Sequence, residues 1–212
     1  MSIVLIDYGS GNLRSAEKAL IRAAGELPGA PEVVTTSDPA AVAAAERLVL
    51  PGVGAFAACM QAVASIDGLL EALDEAVLRR GRPFLGVCVG MQLMASRGLE
   101  FGETPGLGWI EGDVRRLEPK DPSLKIPHMG WNTLEDVIDH PVFAGLEGKD
   151  MYFTHSFAIH PSDPAHVAAW VTHGERFPAA VAKGNMAGVQ FHPEKSQAWG
   201  LKLLSQFLEW RP

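Results

Sequence analysis

Cys88 stands where this chain could do chemistry. In Phe84-Leu85-Gly86-Val87-Cys88-Val89-Gly90-Met91-Gln92 an apolar, strand-like run ends in Gly-x-Cys-x-Gly and opens into helix-compatible sequence. That is a nucleophile elbow carrying sulfur: the reactive side chain sits on a sharp strand-to-helix turn, and flanking glycines tolerate the crowding. A thiol at its ordinary pKa is only roughly 3% thiolate at pH 7, so a reactive cysteine needs a helix N-terminus or an imidazolium beside it. The elbow supplies the first. The second is expected from His192, 104 residues downstream (192 − 88), in Gln190-Phe191-His192-Pro193-Glu194-Lys195. In an extended segment i and i+2 share a face, so Glu194 can fix the tautomer and orientation of the His192 imidazole, with Pro193 stiffening the pair. Cys88, His192 and Glu194 then form a triad in chain order. Cys59 has no such frame and reads as a small buried hydrophobe on a helix. His-x-Glu could also suit zinc, but the Pro-Cys-x-x-Cys of the zinc deaminases is missing, so no metal is expected.

Thiolate attack on a carbonyl makes a tetrahedral oxyanion, and preorganised donors there contribute about 3 to 4 kcal/mol. The Val89 N–H, next after the nucleophile, is one donor by the geometry of the elbow. A second should come from another loop at the carboxyl edge of the sheet, where Pro51-Gly52-Val53-Gly54 follows a strand. Gly9-Ser10-Gly11 has the look of a dinucleotide loop, but Arg14 occupies the third glycine position and the fingerprint fails. It reads as a turn.

The elements that must position these groups alternate. Ser2 to Ile6 is a continuous apolar strand, as in parallel sheets covered on both faces, and further strands are expected at Glu32 to Thr35, Arg47 to Leu50, Phe84 to Val87 and Ala187 to Phe191. Helical spacing covers Asn12 to Ala24, with Asn12 as N-cap, then Ala55 to Ser65, Leu69 to Arg80, Val89 to Ala95 and Ser196 to Trp210. From about Ile110 to Lys183, short β-like runs separated by Pro, Gly and Asp predict hairpins and an antiparallel extension of the sheet. The fold class is therefore α/β, a doubly wound mixed sheet of flavodoxin-like type, in a single domain over residues 1–212. The charge-free stretch from Leu48 to Ile66 nearly reaches the length of a membrane span, but Pro51-Gly52-Val53-Gly54 interrupts it, so no membrane partner is expected. A net charge of −7 with 20% charged residues argues against nucleic acid. Two cysteines without a disulfide framework, and no basic segment before the first apolar run, point to the cytoplasm.

The elbow together with Gln190-Phe191-His192-Pro193-Glu194 resembles the class I (triad-type) glutamine amidotransferases. Further motifs narrow the resemblance to the glutaminase-subunit family of imidazole glycerol phosphate synthases, in histidine biosynthesis. These are Asp7-Tyr8-Gly9-Ser10-Gly11-Asn12-Leu13-Arg14-Ser15, Leu50-Pro51-Gly52-Val53-Gly54-Ala55-Phe56, Lys125-Ile126-Pro127-His128-Met129-Gly130-Trp131-Asn132 and Tyr152-Phe153-Thr154-His155-Ser156-Phe157. The likeness runs from about residue 3 to about residue 208; Val89 and Phe157 depart from the family pattern, which has Leu and Tyr there. It implies hydrolysis of L-glutamine to glutamate and ammonia without a cofactor. The ammonia would pass to a separate synthase (cyclase) subunit, a (β/α)8 barrel in a heterodimer, making imidazole glycerol phosphate and AICAR. It further implies that Gly52, Val53 and Gly54 belong to an oxyanion strand whose peptide must reorient. Gln92, Glu100, His155, Ser156 and Phe157 would hold glutamine, and Asn12, Trp131, Asn132 and Lys195 would face the partner. An independent cysteine γ-glutamyl hydrolase on the same elbow, active alone, is the alternative. A regulatory module that has lost catalysis is at odds with an intact Cys88, His192 and Glu194.

Overall fold

The structure, a computed structural model, describes residues 2–212. The first half runs β1 (Ser2–Ile6), α1 (Leu13–Gly25), β2 (Glu32–Thr36), α2 (Pro39–Ala44), β3 (Arg47–Gly52), α3 (Phe56–Ser65) and α4 (Leu69–Leu73), the last prolonged by a π-helical stretch over Asp74–Arg79. The elbow follows as β4 (Phe84–Cys88) and α5 (Val89–Gln92). Then come β5 (Ala95–Gly98), β6 (Thr104–Pro105), β7 (Ile110–Arg116), β8 (His128–Thr133), β9 (Asp150–His155) and β10 (Phe157–Pro161). β11 (Val167–Thr172), β12 (Arg176–Lys183), β13 (Met186–Val189) and α6 (Gln197–Glu209) complete the chain.

The main sheet has the order β11-β12-β13-β4-β3-β1-β2. Its five parallel strands, β2-β1-β3-β4-β13, have the flavodoxin-like order, and β12 and β11 add antiparallel on the β13 edge, as the hairpin-like sequence predicted. Every residue of β3, β4 and β13 is buried, which is why these strands are apolar apart from Arg47 at the start of β3. In such sheets ligands bind outside the carboxyl ends of the strands, near the point where the order reverses. Here the reversal falls between β1 and β3, and β3, β4 and β13 deliver Gly52, Cys88 and the chain leading to His192 to that edge. A second sheet, β10-β7-β5-β6, and a separate β8-β9 pair flank it. One contiguous hydrophobic core reaches from Ile3 to Trp210.

Some boundaries differ from expectation. α2 was not anticipated, although Asp38 caps it by accepting from Ala40 N (2.9 Å) and Pro39 occupies its first turn. Asn12 does stand at the start of α1, but its carbonyl rather than its side chain takes the first bonds, from Ser15 and Ala16. α5 stops at Gln92 instead of Ala95: the chain turns out of the helix to enter β5 at Ala95, and the carbonyls of Leu93, Met94 and Ala95 accept from Leu107 N, Ile110 N and Gly108 N. The Leu48 to Ile66 stretch is β3, a turn and α3. No single helix among the described residues is long and apolar enough to cross a membrane.

Candidate active site

The elbow is tight. Cys88 has φ 55° and ψ −115°, a strained conformation for a residue with a Cβ. A Cβ at Gly90 would lie 1.9 Å from the Leu50 carbonyl oxygen, and one at Gly86 2.6 Å from the Gly90 carbonyl oxygen, so both glycine positions are required by backbone contact. α5 is a single turn of four residues. Its dipole is correspondingly small, and the imidazole carries more of the burden of stabilising a thiolate than the sequence suggested.

His192 and Glu194 do meet, but not along an extended segment as expected: His192 is extended and Pro193–Lys195 form a 3-10 turn that brings Glu194 back to the ring. Nδ1 of His192 meets Oε1 of Glu194 at 2.9 Å, with the two side chains only 3% and 5% exposed. Burial disfavours the imidazolium, but contact with Cys88 and then with Glu194 outweighs it and pushes the His192 pKa up to about 9. Nε2 of His192 is buried with no partner at full hydrogen-bond geometry, although the Cys88 thiol is close enough to act on its charge. Catalytic hydrogen bonds commonly tighten only around the substrate.

A cleft of about 310 Å³ opens above the triad. Its walls hold Cys88, Val89, Gln92, Glu100, His155, Ser156, Phe157 and His192, with Val53, Gly54 and Lys195 at its edge. Pro127 and Thr154, to which the sequence reading gave no role, also line it. Gly52 lies one step deeper, where a Cβ would come within 2.7 Å of both the Tyr8 hydroxyl and the Gly90 nitrogen. Gln92 is buried and donates to the Phe157 carbonyl (2.9 Å) and to Gln190 Oε1 (3.0 Å). Phe157 is thus used through its carbonyl, so the missing phenol hydroxyl leaves these bonds intact. One Glu100 oxygen accepts from Phe56 N at the start of α3 (2.8 Å).

The segment Pro51–Gly54 is gripped from the side of the N-terminal turn. The Tyr8 hydroxyl donates to Pro51 O (2.7 Å), and burial raises its pKa. Ser10 Oγ donates to Val53 O (2.7 Å) and accepts from Val53 N (3.4 Å), while the Cys59 thiol reaches the same Val53 carbonyl at 3.3 Å. Cys59 is buried as expected, but it contacts this strand rather than apolar groups alone. Tyr8 and Ser10 were quoted in the N-terminal motif without a role of their own; only the fold brings their loop against the end of β3.

The four residues expected at a partner surface divide. Asn12 is exposed beside a small cavity that it lines together with Pro51, Gly52, Val53, His192 and Glu194. The exposed Lys195 places Nζ 5.7 Å from the Tyr152 ring, which packs edge-on against Trp131 at 5.8 Å. Along β8 the side chains alternate: Met129 and Trp131 face outward, 64% and 49% exposed, whereas His128 and Asn132 turn inward. Asn132 bonds to His128 and to Thr172 O rather than standing beside Trp131.

The family described as glutamine amidotransferase class-I matches residues 4–210. The chain is 59% identical over 212 residues to imidazole glycerol phosphate synthase subunit HisH of Caulobacter vibrioides, covering 100% of this chain and 99% of that one. It is 55% identical over 214 residues to the subunit of the same description in Rhodospirillum rubrum, covering 100% of both. In fold it is similar to a crystal structure of a glutamine amidotransferase, with a TM-score of 0.73, 21% identity and 97% of each chain covered. A glutamine amidotransferase from Thermotoga maritima superposes with a TM-score of 0.65 at 16% identity, covering 99% of this chain and 96% of that one.

Proposed function

Because the chain belongs to the class I glutamine amidotransferases, we propose that it is the glutaminase subunit of imidazole glycerol phosphate synthase, with Cys88, His192 and Glu194 as its catalytic triad. The observation that carries the reading is the juxtaposition of an elbow thiol with a buried His192–Glu194 pair at the floor of a cleft. Cys88 thiolate attacks the side-chain carbonyl carbon of L-glutamine. The Val89 N–H and an N–H of the Gly52–Gly54 segment receive the oxyanion, and the His192 imidazolium gives its proton to the departing ammonia. Neutral His192 then deprotonates the water that attacks the thioester, releasing glutamate and regenerating the pair. Glu194 holds the imidazole in register throughout.

Gln92, Glu100 and the His155-Ser156-Phe157 wall hold the amino-acid end of glutamine. A carboxylate at Glu100 suits the α-ammonium group, and Ser156 offers a hydroxyl to the α-carboxylate. Ammonia passes to a synthase (cyclase) subunit, a (β/α)8 barrel, that docks over Asn12, Trp131 and Lys195. The setting is the cytoplasm, which suits two unpaired cysteines. In the resting chain the Tyr8 and Ser10 contacts hold Pro51–Gly54 away from the oxyanion, and the docked partner with its own ligand shifts the strand toward the completed hole. The test compares glutamine hydrolysis by the chain alone, with partner, and with partner plus ligand. A stepwise rise supports the reading; equal rates in all three would replace it with an independent γ-glutamyl hydrolase.

A further inference from the structure

Around the cleft the hydrogen bonds form one chain whose direction is dictated by its acceptors. The Phe157 carbonyl can only accept, so His155 Nδ1, 2.9 Å away, must carry a hydrogen. Neutral His155 then has a lone pair on Nε2, and His128 Nδ1 at 3.1 Å must donate to it. That leaves a lone pair on His128 Nε2 for the Asn132 amide at 3.2 Å. The second amide hydrogen of Asn132 goes to Thr172 O (2.9 Å), and its Oδ1 accepts from Thr133 N (2.8 Å). On the other side, the Gln92 amide spends both hydrogens on Phe157 O and on Gln190 Oε1. Gln190, fully buried, is thereby turned so that its Nε2 donates toward Cys88 Sγ at 3.7 Å.

We infer that Gln190 is a further residue acting on the nucleophile, and that His128 and Asn132 are positioning residues tied to it through Gln92, Phe157 and His155. The inference rests on Cys88 being the nucleophile of the proposed glutaminase. Gln190 offers the developing thiolate an N–H besides that of His192. The two donors on Phe157 O fix the backbone of the glutamine-facing wall. The relay is complete only while His128 and His155 are both neutral and both in the Nδ1–H form, because a second proton on either ring would set two donors against each other. Their surroundings favour neutrality. Burial holds His155 down to about 3, and burial followed by the neighbouring His173 holds His128 at about 4. The titratable neighbours are histidines: His173 lies 4.3 Å from the His128 ring and donates to Lys125 O, and His192 acts on His155 from the triad side. The far end of the relay lies in β8, with its inward Asn132 between the outward-facing Trp131 and Thr133.

The test needs neither glutamine nor partner, so its failure is distinct from failure of the glutaminase reading. Nitrogen NMR of the histidine-labelled full chain should find His128 and His155 as neutral Nδ1–H tautomers from pH 6 to 8. An Nε2–H tautomer on either ring, or titration near the ordinary 6.5, overturns the relay. Asn132→Asp replaces the amide donor with an acceptor and should bring the His128 titration up toward neutral pH; an unmoved titration overturns the Asn132 assignment. Gln190→Leu keeps the volume and removes the donor, and should raise the pH midpoint of Cys88 alkylation by about one unit, roughly tenfold in thiolate population at a given pH below it. An unchanged midpoint removes Gln190 from the nucleophile. If Gln190→Leu does not fold, the same alkylation measurement on Gln190→Met decides the Gln190 assignment, and the tautomer measurement on the unaltered chain decides the histidine relay.

Discussion

Ser10→Ala should make the isolated chain a faster glutaminase. Ser10 Oγ holds the peptides on both sides of Val53, accepting from the N–H of the Gly52–Val53 peptide (3.4 Å) and donating to the carbonyl of the Val53–Gly54 peptide (2.7 Å), so a reorientation of the Gly52–Gly54 segment has to leave that hydroxyl behind. A neutral hydrogen bond contributes about 0.5 to 1.5 kcal/mol net, and the Cys59 thiol stays on the Val53 carbonyl at 3.3 Å to retain part of the grip. Taking about 1 kcal/mol as the loss, the population of the reoriented strand rises about fivefold, with about two- to thirteenfold as the bounds. A completed oxyanion donor is worth a hundred- to a thousandfold in rate, so the variant recovers only a small part of what a partner can elicit. The assay is steady-state release of glutamate by the chain alone and by the chain with partner and ligand. The unstimulated rate should rise about fivefold while the stimulated rate holds, narrowing the ratio between them. A basal rate that is unchanged, or that falls in step with the stimulated rate, would refute the clasp as the restraint on this strand.

A diazo-ketone analogue of glutamine should label Cys88 and spare Cys59, as read by peptide mass mapping; label on Cys59 would mean that the two thiols have been assigned the wrong roles. The His192 pKa of about 9 is raised above its ordinary value, so the imidazolium persists through neutral pH, and kcat/KM for glutamine should fall only as pH passes about 9 and the proton for ammonia is lost. By the same sign, the stability His192 contributes is complete below about pH 6.5 and disappears as pH rises through about 9. Glu194→Gln removes one of the two influences that raise this pKa and should move the alkaline limb toward lower pH; a limb that stays in place would detach Glu194 from control of the ring.

The triad was legible because its evidence is one-dimensional. Gly86 and Gly90 flank Cys88 in the sequence, and the contacts that demand them, with Gly90 O and Leu50 O, are consequences of the turn itself. The His192–Glu194 pair was legible from its closeness in sequence, although a 3-10 turn over Pro193–Lys195, rather than the extended chain of the i, i+2 rule, brings the two together. The α2 helix was equally legible and went unread: Asp38-Pro39 is an N-cap followed by a first-turn proline. The early end of α5 was not, since the strand β7 that draws Ala95 into a sheet instead lies more than ten residues further on. Helical spacing cannot report a competitor from another segment. The same holds for the inward turn of Asn132. The motif Pro127-His128-Met129-Gly130-Trp131-Asn132 was read as a unit, but a strand sends alternate side chains to opposite faces, and only the pairing of β8 with β9 decides which face meets His155. Gln190 stood in a quoted motif with no role, because its partner Cys88 is 102 residues away in sequence.

The central claim is that Cys88 and His192 serve glutamine hydrolysis alone, with synthesis carried out by another chain. It is tested most directly by reconstituting Cys88→Ala and His192→Ala with the barrel subunit and measuring synthesis from glutamine and, separately, from added ammonium. Both variants should lose the glutamine-dependent reaction and keep the ammonia-dependent one at the rate of the unaltered complex. Glutamine-dependent synthesis at the unaltered rate in Cys88→Ala would contradict the account.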